Sequence, residues 1–88
     1  MRLDVFLKVS RLCPRRTVAQ KLCDAGLVSV NGARAKSAHQ VKPGDEIVIR
    51  RHDKVTTLRV VLVPQRNQVS KDEARGLCEL LSEDLVEI

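Results

Sequence analysis

The chain has 88 residues, a net charge of +5 at neutral pH and a single aromatic residue, Phe6. A chain this short builds one domain with a modest core, which excludes an enzyme with a wide catalytic cleft. The scarcity of aromatic rings also argues against recognition of single-stranded nucleic acid by base stacking.

Positive charge is concentrated in the first part of the chain. Residues 1–36 carry eight Lys or Arg side chains against two acids, whereas residues 67–88 carry two against six. A basic body with an acidic end favours a directed interaction with a polyanion. Composition alone leaves open the alternative of a basic surface that is merely solvated.

Two short helices open the predicted fold. Residues 3–12 carry apolar side chains at helical spacing on one face. Pro14 suits the first turn of a helix and Gly26 suits a left-handed stop, which predicts a second helix over residues 14–25. The predicted inward-facing residues are Leu3, Phe6, Leu7, Ser10, Val18, Ala19, Leu22 and Cys23.

The apolar period then changes to two, which is typical of strands. Residues 27–30 alternate, Asn31 and Gly32 predict a tight hairpin turn, and residues 33–35 return. Residues 43–45, Pro-Gly-Asp, predict a second turn. The remaining predicted strands cover residues 46–51 and 55–63.

The end of the chain is predicted to form an acidic helix. After a polar linker at residues 65–69, Ser70 and Glu73 have the spacing of a capping box. A helix over residues 71–82 would then bury Ala74, Leu77, Cys78 and Leu81.

These elements predict an α+β fold in which two short helices pack on a small, mainly antiparallel sheet. Residues 1–63 are expected to form the domain, and residues 64–88 a linker and a C-terminal helix.

Four short motifs carry a resemblance to a known family. They are Arg2-Leu3-Asp4, Arg15-Arg16-Thr17-Val18-Ala19, Gly26-Leu27-Val28-Ser29-Val30-Asn31-Gly32 and Val41-Lys42-Pro43-Gly44-Asp45. In this order, the motifs make residues 1–63 resemble the ribosomal-protein S-four RNA-binding domain, which implies the S-four-like (alpha-L) fold. Cys13-Pro14 departs from the family pattern of an aliphatic residue followed by a basic one, and this leaves the start of the second helix open.

The chain is most similar to freestanding members of this family that act in ribosome-associated quality control. The resemblance implies a non-enzymatic cytoplasmic protein that binds ribosomal RNA and peptidyl-tRNA on an obstructed large ribosomal subunit. A partner protein would meanwhile add untemplated residues to the nascent chain. A general rescue or assembly factor of the heat-shock type and a protein-interaction adaptor are the alternatives. A monomer is expected.

The predicted RNA-binding residues centre on the start of the second helix. Arg15 and Arg16 stand where free backbone amides and the helix dipole attract phosphate, and two arginines there oppose the dipole. Asp4 is expected to cap or orient, and a salt bridge to it is the alternative role of Arg2. Arg16 is expected to be exposed and dispensable for folding. The full set is Arg2, Lys8, Arg11, Arg15, Arg16, Gln20 and Arg34.

No catalytic, metal or cofactor site is predicted. Cys13, Cys23 and Cys78 have unrelated spacings, which argues against a zinc site and favours small buried residues in a reducing compartment. Cys13 is expected to be partly exposed because Pro14 follows it. No apolar segment indicates a signal peptide or a membrane span.

Overall fold

A computed structural model describes residues 1–85. Within them the helices are α1 (Leu3–Val9), α2 (Arg16–Asp24) and α3 (Lys71–Arg75), and the strands are β1 (Val28–Val30), β2 (Ala33–Arg34), β3 (Glu46–Arg50), β4 (Lys54–Val60) and β5 (Cys78–Leu85). The strands form one antiparallel sheet in the order β2-β1-β3-β4-β5. The predicted α+β class is confirmed.

The core lies between α1 and one face of the sheet. Ile47 and Ile49 of β3 are buried and alternate with half-exposed or exposed neighbours, as the period of two requires. Phe6, Leu3 and Leu7 of α1 are fully buried. Burying such a side chain contributes about 1.5–3 kcal/mol, so α1 is the main apolar anchor of the sheet.

The first helix is shorter than the predicted residues 3–12. The Ser10 hydroxyl donates to the Phe6 carbonyl oxygen at 2.7 Å, and Arg11 then adopts a positive φ of 64°. This left-handed residue ends α1, since the right-handed helix cannot continue through it. Ser10 is buried, as predicted.

The second helix begins at Arg16, so the prediction of a start at Pro14 was wrong. Arg15 is extended, with φ −143° and ψ 152°, and occupies the N-cap without a side-chain cap. Because this helix packs mainly against α1, its buried face is narrow. Ala19 and Cys23 are buried as predicted, whereas Val18 and Leu22 are only partly buried.

The two predicted turns, at Asn31-Gly32 and at residues 43–45, are joined by hydrogen bonds. Asn31 and Gly32 have φ values of 53° and 84°, the conformation of a two-residue hairpin turn. The Asn31 side-chain amide donates to buried Asp45 at 3.0 Å, and the backbone N–H of Glu46 donates to Asn31 Oδ1 at 2.9 Å. This exchange fixes β1 against the start of β3.

The prediction of one long C-terminal helix was wrong. Only Lys71–Arg75 is helical, and β5 then pairs with β4, with Cys78 opposite Val60. Gly76 follows the helix, and the Leu77 carbonyl accepts from the N–H groups of Val61 and Leu62 at 2.8 and 3.1 Å. Pairing with β4 therefore overrides the local helical spacing, and β4 itself ends at Val60, not at residue 63.

Half of the predicted capping box is present. The Glu73 N–H donates to the Ser70 hydroxyl at 3.1 Å, but the Glu73 carboxylate accepts from Arg66 at 2.8 and 3.0 Å. The sequence predicts a boundary between a domain of residues 1–63 and a C-terminal segment of residues 64–88. In the structure, β5 of that segment pairs with β4 of the domain. The boundary itself stays a prediction.

Candidate nucleic-acid interface

A buried carboxylate organises the amino-terminal basic residues. The side chain of Asp4, in the first turn of α1, has no exposed surface. It accepts hydrogen bonds from the Val5 N–H at 2.8 Å, Gln20 Nε2 at 2.9 Å and Arg16 Nε at 3.0 Å. Arg2 adds two more, from Nε at 3.1 Å and Nη2 at 3.3 Å. We call Arg2, Asp4, Arg16 and Gln20 the Asp4 cluster.

Asp4 is ionised at neutral pH. Burial by itself raises the pKa of this carboxyl, but hydrogen bonds from Gln20, Arg16, Arg2 and the Val5 N–H outweigh burial and hold the pKa below its usual value. Two guanidinium groups therefore face one carboxylate, and the cluster keeps a surplus positive charge.

The two arginines remain available to a ligand. Their side chains are 40% exposed for Arg2 and 48% exposed for Arg16. Arg16 contacts Asp4 through Nε, and its terminal nitrogens have no hydrogen-bond partner within residues 1–85. Such a held guanidinium can donate two hydrogen bonds to a phosphate with little loss of side-chain freedom.

Two adjoining clefts extend this surface. One, of about 630 Å³, is lined by residues that include Arg2, Arg16, Gln40, Asn67 and residues 63–65. The other, of about 420 Å³, has Asn67 in common with the first and continues to the end of α1. Its lining residues include Lys8, Arg11, Pro14 and Gln68. Lys8 and Arg11, at the end of α1, therefore border a surface that continues to Arg2 and Arg16.

Sequence reasoning missed the amide side chains of this surface. Gln40 pairs with Arg2 in an isolated β-bridge, and its Oε1 accepts from the amino-terminal ammonium at 3.0 Å. Asn67 belongs to the segment predicted to be a polar linker. The only signal was three amide side chains in four residues, Gln65, Asn67 and Gln68, and nothing local indicated that Asn67 would lie near Arg16.

The other predicted residues lie in different places. Arg15 is exposed at the N-cap of α2. Arg34 donates to the carbonyl oxygen of Asp24 at 2.9 Å, at the far end of α2. With a rise of about 1.5 Å per residue, that end lies about 12 Å from Arg16 along the helix axis. The structure therefore groups Arg2, Arg16 and Gln20, and separates Arg34 from them.

The expected role of Arg16 in folding needs correction. Arg16 is exposed, as expected, but it donates a hydrogen bond to a fully buried carboxylate, so its loss is no longer expected to leave the fold unaffected. The alternative role of Arg2, a salt bridge to Asp4, is confirmed.

The cysteines differ from the sequence expectation in one respect. Cys13 is 1% exposed, so its predicted exposure was wrong, and Cys78 is the partly exposed one. The Cys13 N–H donates to the Leu7 carbonyl at 2.9 Å, which draws this residue under the end of α1. Burial raises the pKa of all three thiols, that of Cys23 to about 11.

In the part of the chain that the structure describes, no three His, Cys, Asp or Glu side chains cluster as metal ligands would. None of the helices within residues 1–85 is long and apolar enough to cross a membrane.

Comparison with known sequences identifies relatives along almost the whole chain. The pattern of the S4 domain, the ribosomal-protein S-four domain, matches residues 1–47. Proteins named RQC P-site tRNA stabilizing factor from Bacillus subtilis and Halalkalibacterium halodurans are 44% and 48% identical to the chain, each over 84 residues. These alignments cover 96% of the chain and 95% and 93% of the two relatives. The protein of that name from Streptococcus pneumoniae is 41% identical over 87 residues, 99% of the chain and 97% of the relative.

Solved structures have the same fold. Heat Shock Protein 15 of Vibrio cholerae, described as trimeric, has a TM-score of 0.82 and 29% identity, covering 93% of this chain and 82% of that chain. A hypothetical protein solved in solution has a TM-score of 0.81 and 28% identity, covering 93% and 98%. These likenesses confirm the S-four-like fold.

Proposed function

Because the chain belongs to the S4-domain family of RQC P-site tRNA stabilizing factors, we propose that it stabilises P-site tRNA on obstructed large ribosomal subunits during ribosome-associated quality control. The RNA surface would consist of the Asp4 cluster and the two clefts that adjoin it. The likeness to named relatives extends over 84 residues, 96% of the chain, at 44–48% identity.

The Asp4 cluster is the observation that carries the proposal. A fully buried carboxylate holds two half-exposed guanidinium groups at one surface. One guanidinium would be enough to balance the charge of one carboxylate, so the pairing of two arginines with Asp4 leaves a surplus positive charge at this surface. Their fixed orientation suits two neighbouring phosphates of a folded RNA.

The chemistry of this surface favours structured RNA. The single residue among Phe, Tyr and Trp, Phe6, is fully buried, so none of these side chains is available to stack unpaired bases. Guanidinium, ammonium and amide groups remain, and these recognise phosphates, 2′-hydroxyls and the shape of a folded RNA. Both tRNA and large-subunit ribosomal RNA offer such surfaces.

We further propose contacts and properties of this protein beyond the binding of tRNA. The protein would contact large-subunit ribosomal RNA as well, act in the cytoplasm as a non-enzymatic monomer, and support a factor that adds residues to the stalled nascent chain. Light scattering across a concentration series would check the monomer, since Heat Shock Protein 15 is described as trimeric.

Cosedimentation tests the proposal against its alternatives. Large subunits with bound peptidyl-tRNA should retain the protein, and the double variant Arg2→Gln/Arg16→Gln should be lost from them. A matched double variant, Arg50→Gln/Arg59→Gln, removes two exposed arginines from the β3–β4 hairpin and should be retained.

Other outcomes point to other functions. Equal retention on empty subunits would favour a general rescue or assembly factor. Association that survives nuclease and high salt would favour a protein-interaction adaptor, because contacts to phosphate weaken steeply with salt.

A further inference from the structure

A second surface lies on the helix side of the sheet, beyond the area that α1 covers. A groove of about 340 Å³ runs between the end of α1, α3 and strands β3 to β5. Its floor is apolar, with Ile49, Leu58 and Ala74 all buried. We call this surface the sheet groove. It has no residue in common with the cleft beside Arg2 and Arg16.

One large apolar side chain in the sheet groove is exposed. Leu80 of β5 pairs with Leu58 of β4, yet 56% of its surface is open to solvent. The side chain thus continues the apolar floor outward. An exposed apolar patch with a polar rim is typical of a protein-binding site.

The rim of the sheet groove is basic. Its charged side chains are Arg11, Arg51, Lys54, Arg75 and Glu83. The only carboxylate among them, Glu83, is paired with Lys54 at 3.3 Å. The rim therefore carries a surplus of positive charge around an apolar floor.

We propose that the sheet groove binds an acidic peptide segment of a partner protein, with an apolar side chain of that segment packed on Leu80. Carboxylates of the segment would pair with the basic rim, which gives charge complementarity and orientation. A nucleic acid is the less suitable occupant, since a phosphate backbone would leave Leu80 and the apolar floor without a partner. This interaction goes beyond the proposed tRNA binding, and it uses residues outside the Asp4 cluster.

The probe is a fluorescein-labelled peptide of glutamates around a central pair of leucines, followed by fluorescence anisotropy. The native protein should bind it, and a peptide with serines in place of the leucines should bind at least about tenfold more weakly. A peptide with lysines in place of the glutamates should not bind. Equal binding of the glutamate–leucine and glutamate–serine peptides would overturn the proposal.

A matched pair of variants locates the site. Leu80→Glu should weaken binding of the glutamate–leucine peptide about tenfold or more, because a buried apolar contact is replaced by a like charge. Leu62 is 57% exposed but does not line the groove, so Leu62→Glu adds the same charge elsewhere and should leave affinity unchanged. Equal weakening by both variants would contradict the proposed site.

A second pair of variants tests the same site without Leu80→Glu, in case that substitution disturbs folding. Arg75→Ala should weaken binding severalfold, whereas Arg59→Ala, outside the groove, should not. Amide chemical shifts should then change at Leu58 and Leu80 on addition of the peptide. If these shifts respond to an RNA oligonucleotide and not to the peptide, the groove belongs to the RNA surface and the proposal is wrong.

Discussion

At the scale of single residues, Asp4 is the centre of the candidate site. It links α1 to α2 through Arg16 and Gln20, and it connects both to Arg2. The same hydrogen bonds stabilise the fold and, in the proposed function, would orient the two guanidinium groups toward RNA. Folding and binding effects therefore overlap here, and experiments need variants that separate them.

Replacing Arg16 by alanine should lower the free energy of unfolding by about 1–3 kcal/mol, because a buried carboxylate loses a charged partner. The same change should make the slope of log affinity for tRNA against log salt shallower by about one unit. Urea unfolding and a filter-binding salt series measure the two effects.

Arg15→Ala is the control for this variant. Arg15 is exposed and has no side-chain hydrogen bond within residues 1–85, so its loss should leave stability within about 0.5 kcal/mol. An Arg16→Ala protein as stable as the native chain would show that Asp4 does not depend on Arg16.

The pH dependence of stability follows from the lowered pKa of Asp4. Above its unfolded-state pKa, about 3.9, the carboxylate contributes its full stabilisation. As pH falls, the unfolded chain takes up a proton first, so this contribution is lost progressively as pH falls through the folded-state pKa. Asp4→Asn should flatten the stability profile between about pH 5 and 2. Urea unfolding at each pH measures it, and a slope equal to that of the native chain would contradict the role of Asp4.

The three thiols should react slowly at neutral pH, since burial raises the pKa of each and the thiolate is the reactive form. Cys78 should be modified first because it is the partly exposed one. Iodoacetamide labelling followed by peptide mass spectrometry gives the order. Modification of Cys13 before Cys78 would mean that the end of α1 opens readily.

At the scale of elements, the two helices differ in how much they bury. The fully buried residues of α1 include Phe6 and Leu7, whereas α2 buries Ala19 and Cys23 and leaves Leu22 partly exposed. Consequently α1 contributes more apolar packing than α2. The main role of α2 is to carry Arg16 and Gln20 to Asp4.

The same substitution in both helices tests this difference. Leu7→Ala should cost about 2–5 kcal/mol by leaving a cavity, and Leu22→Ala should cost less, about 1–2 kcal/mol. Thermal melts compare the two. If Leu22→Ala is the more destabilising variant, α2 is packed more deeply than the structure indicates.

At the scale of the whole molecule, the two proposed binding surfaces are largely separate. The Asp4 cluster and its clefts lie beside α1 and α2, the sheet groove lies between α1, α3 and β3–β5, and Arg34 lies at the far end of α2. RNA on the first surface would leave most of the sheet groove accessible. Only Arg11 lines both the groove and a cleft of the RNA surface.

The position of Arg34 predicts a smaller role in RNA binding. Arg34→Ala should reduce tRNA affinity less than Arg16→Ala and leave the salt slope unchanged, because Arg34 lies at the far end of α2 and lines neither cleft beside Arg2 and Arg16. Filter binding of both variants at several salt concentrations measures this. A slope reduced by about one unit would extend the RNA contact along α2.

Local chemistry in the sequence was sufficient to predict much of the fold and the position of the basic residues that form the candidate site. Three predicted features depend only on residues that are neighbours in the chain, and all three are present in the structure. They are the strands with apolar residues at every second position, the Asn31-Gly32 turn and the apolar face of α1. The basic residues at the start of α2 were likewise identified from helix-end chemistry, and the relatives confirm the family that four motifs indicated.

Only the tertiary structure decided three features, because each depends on residues far apart in the chain. Residues 78–85 became a strand since an edge of β4 was available, although Ala74, Leu77, Cys78 and Leu81 have helical spacing. Asp4 became a buried anchor because packing of α1 on α2 removes its carboxylate from water and supplies donors 12 and 16 residues away. Asn67 joined the basic surface because the segment after β4 passes beside Arg16, a position that no local pattern encodes.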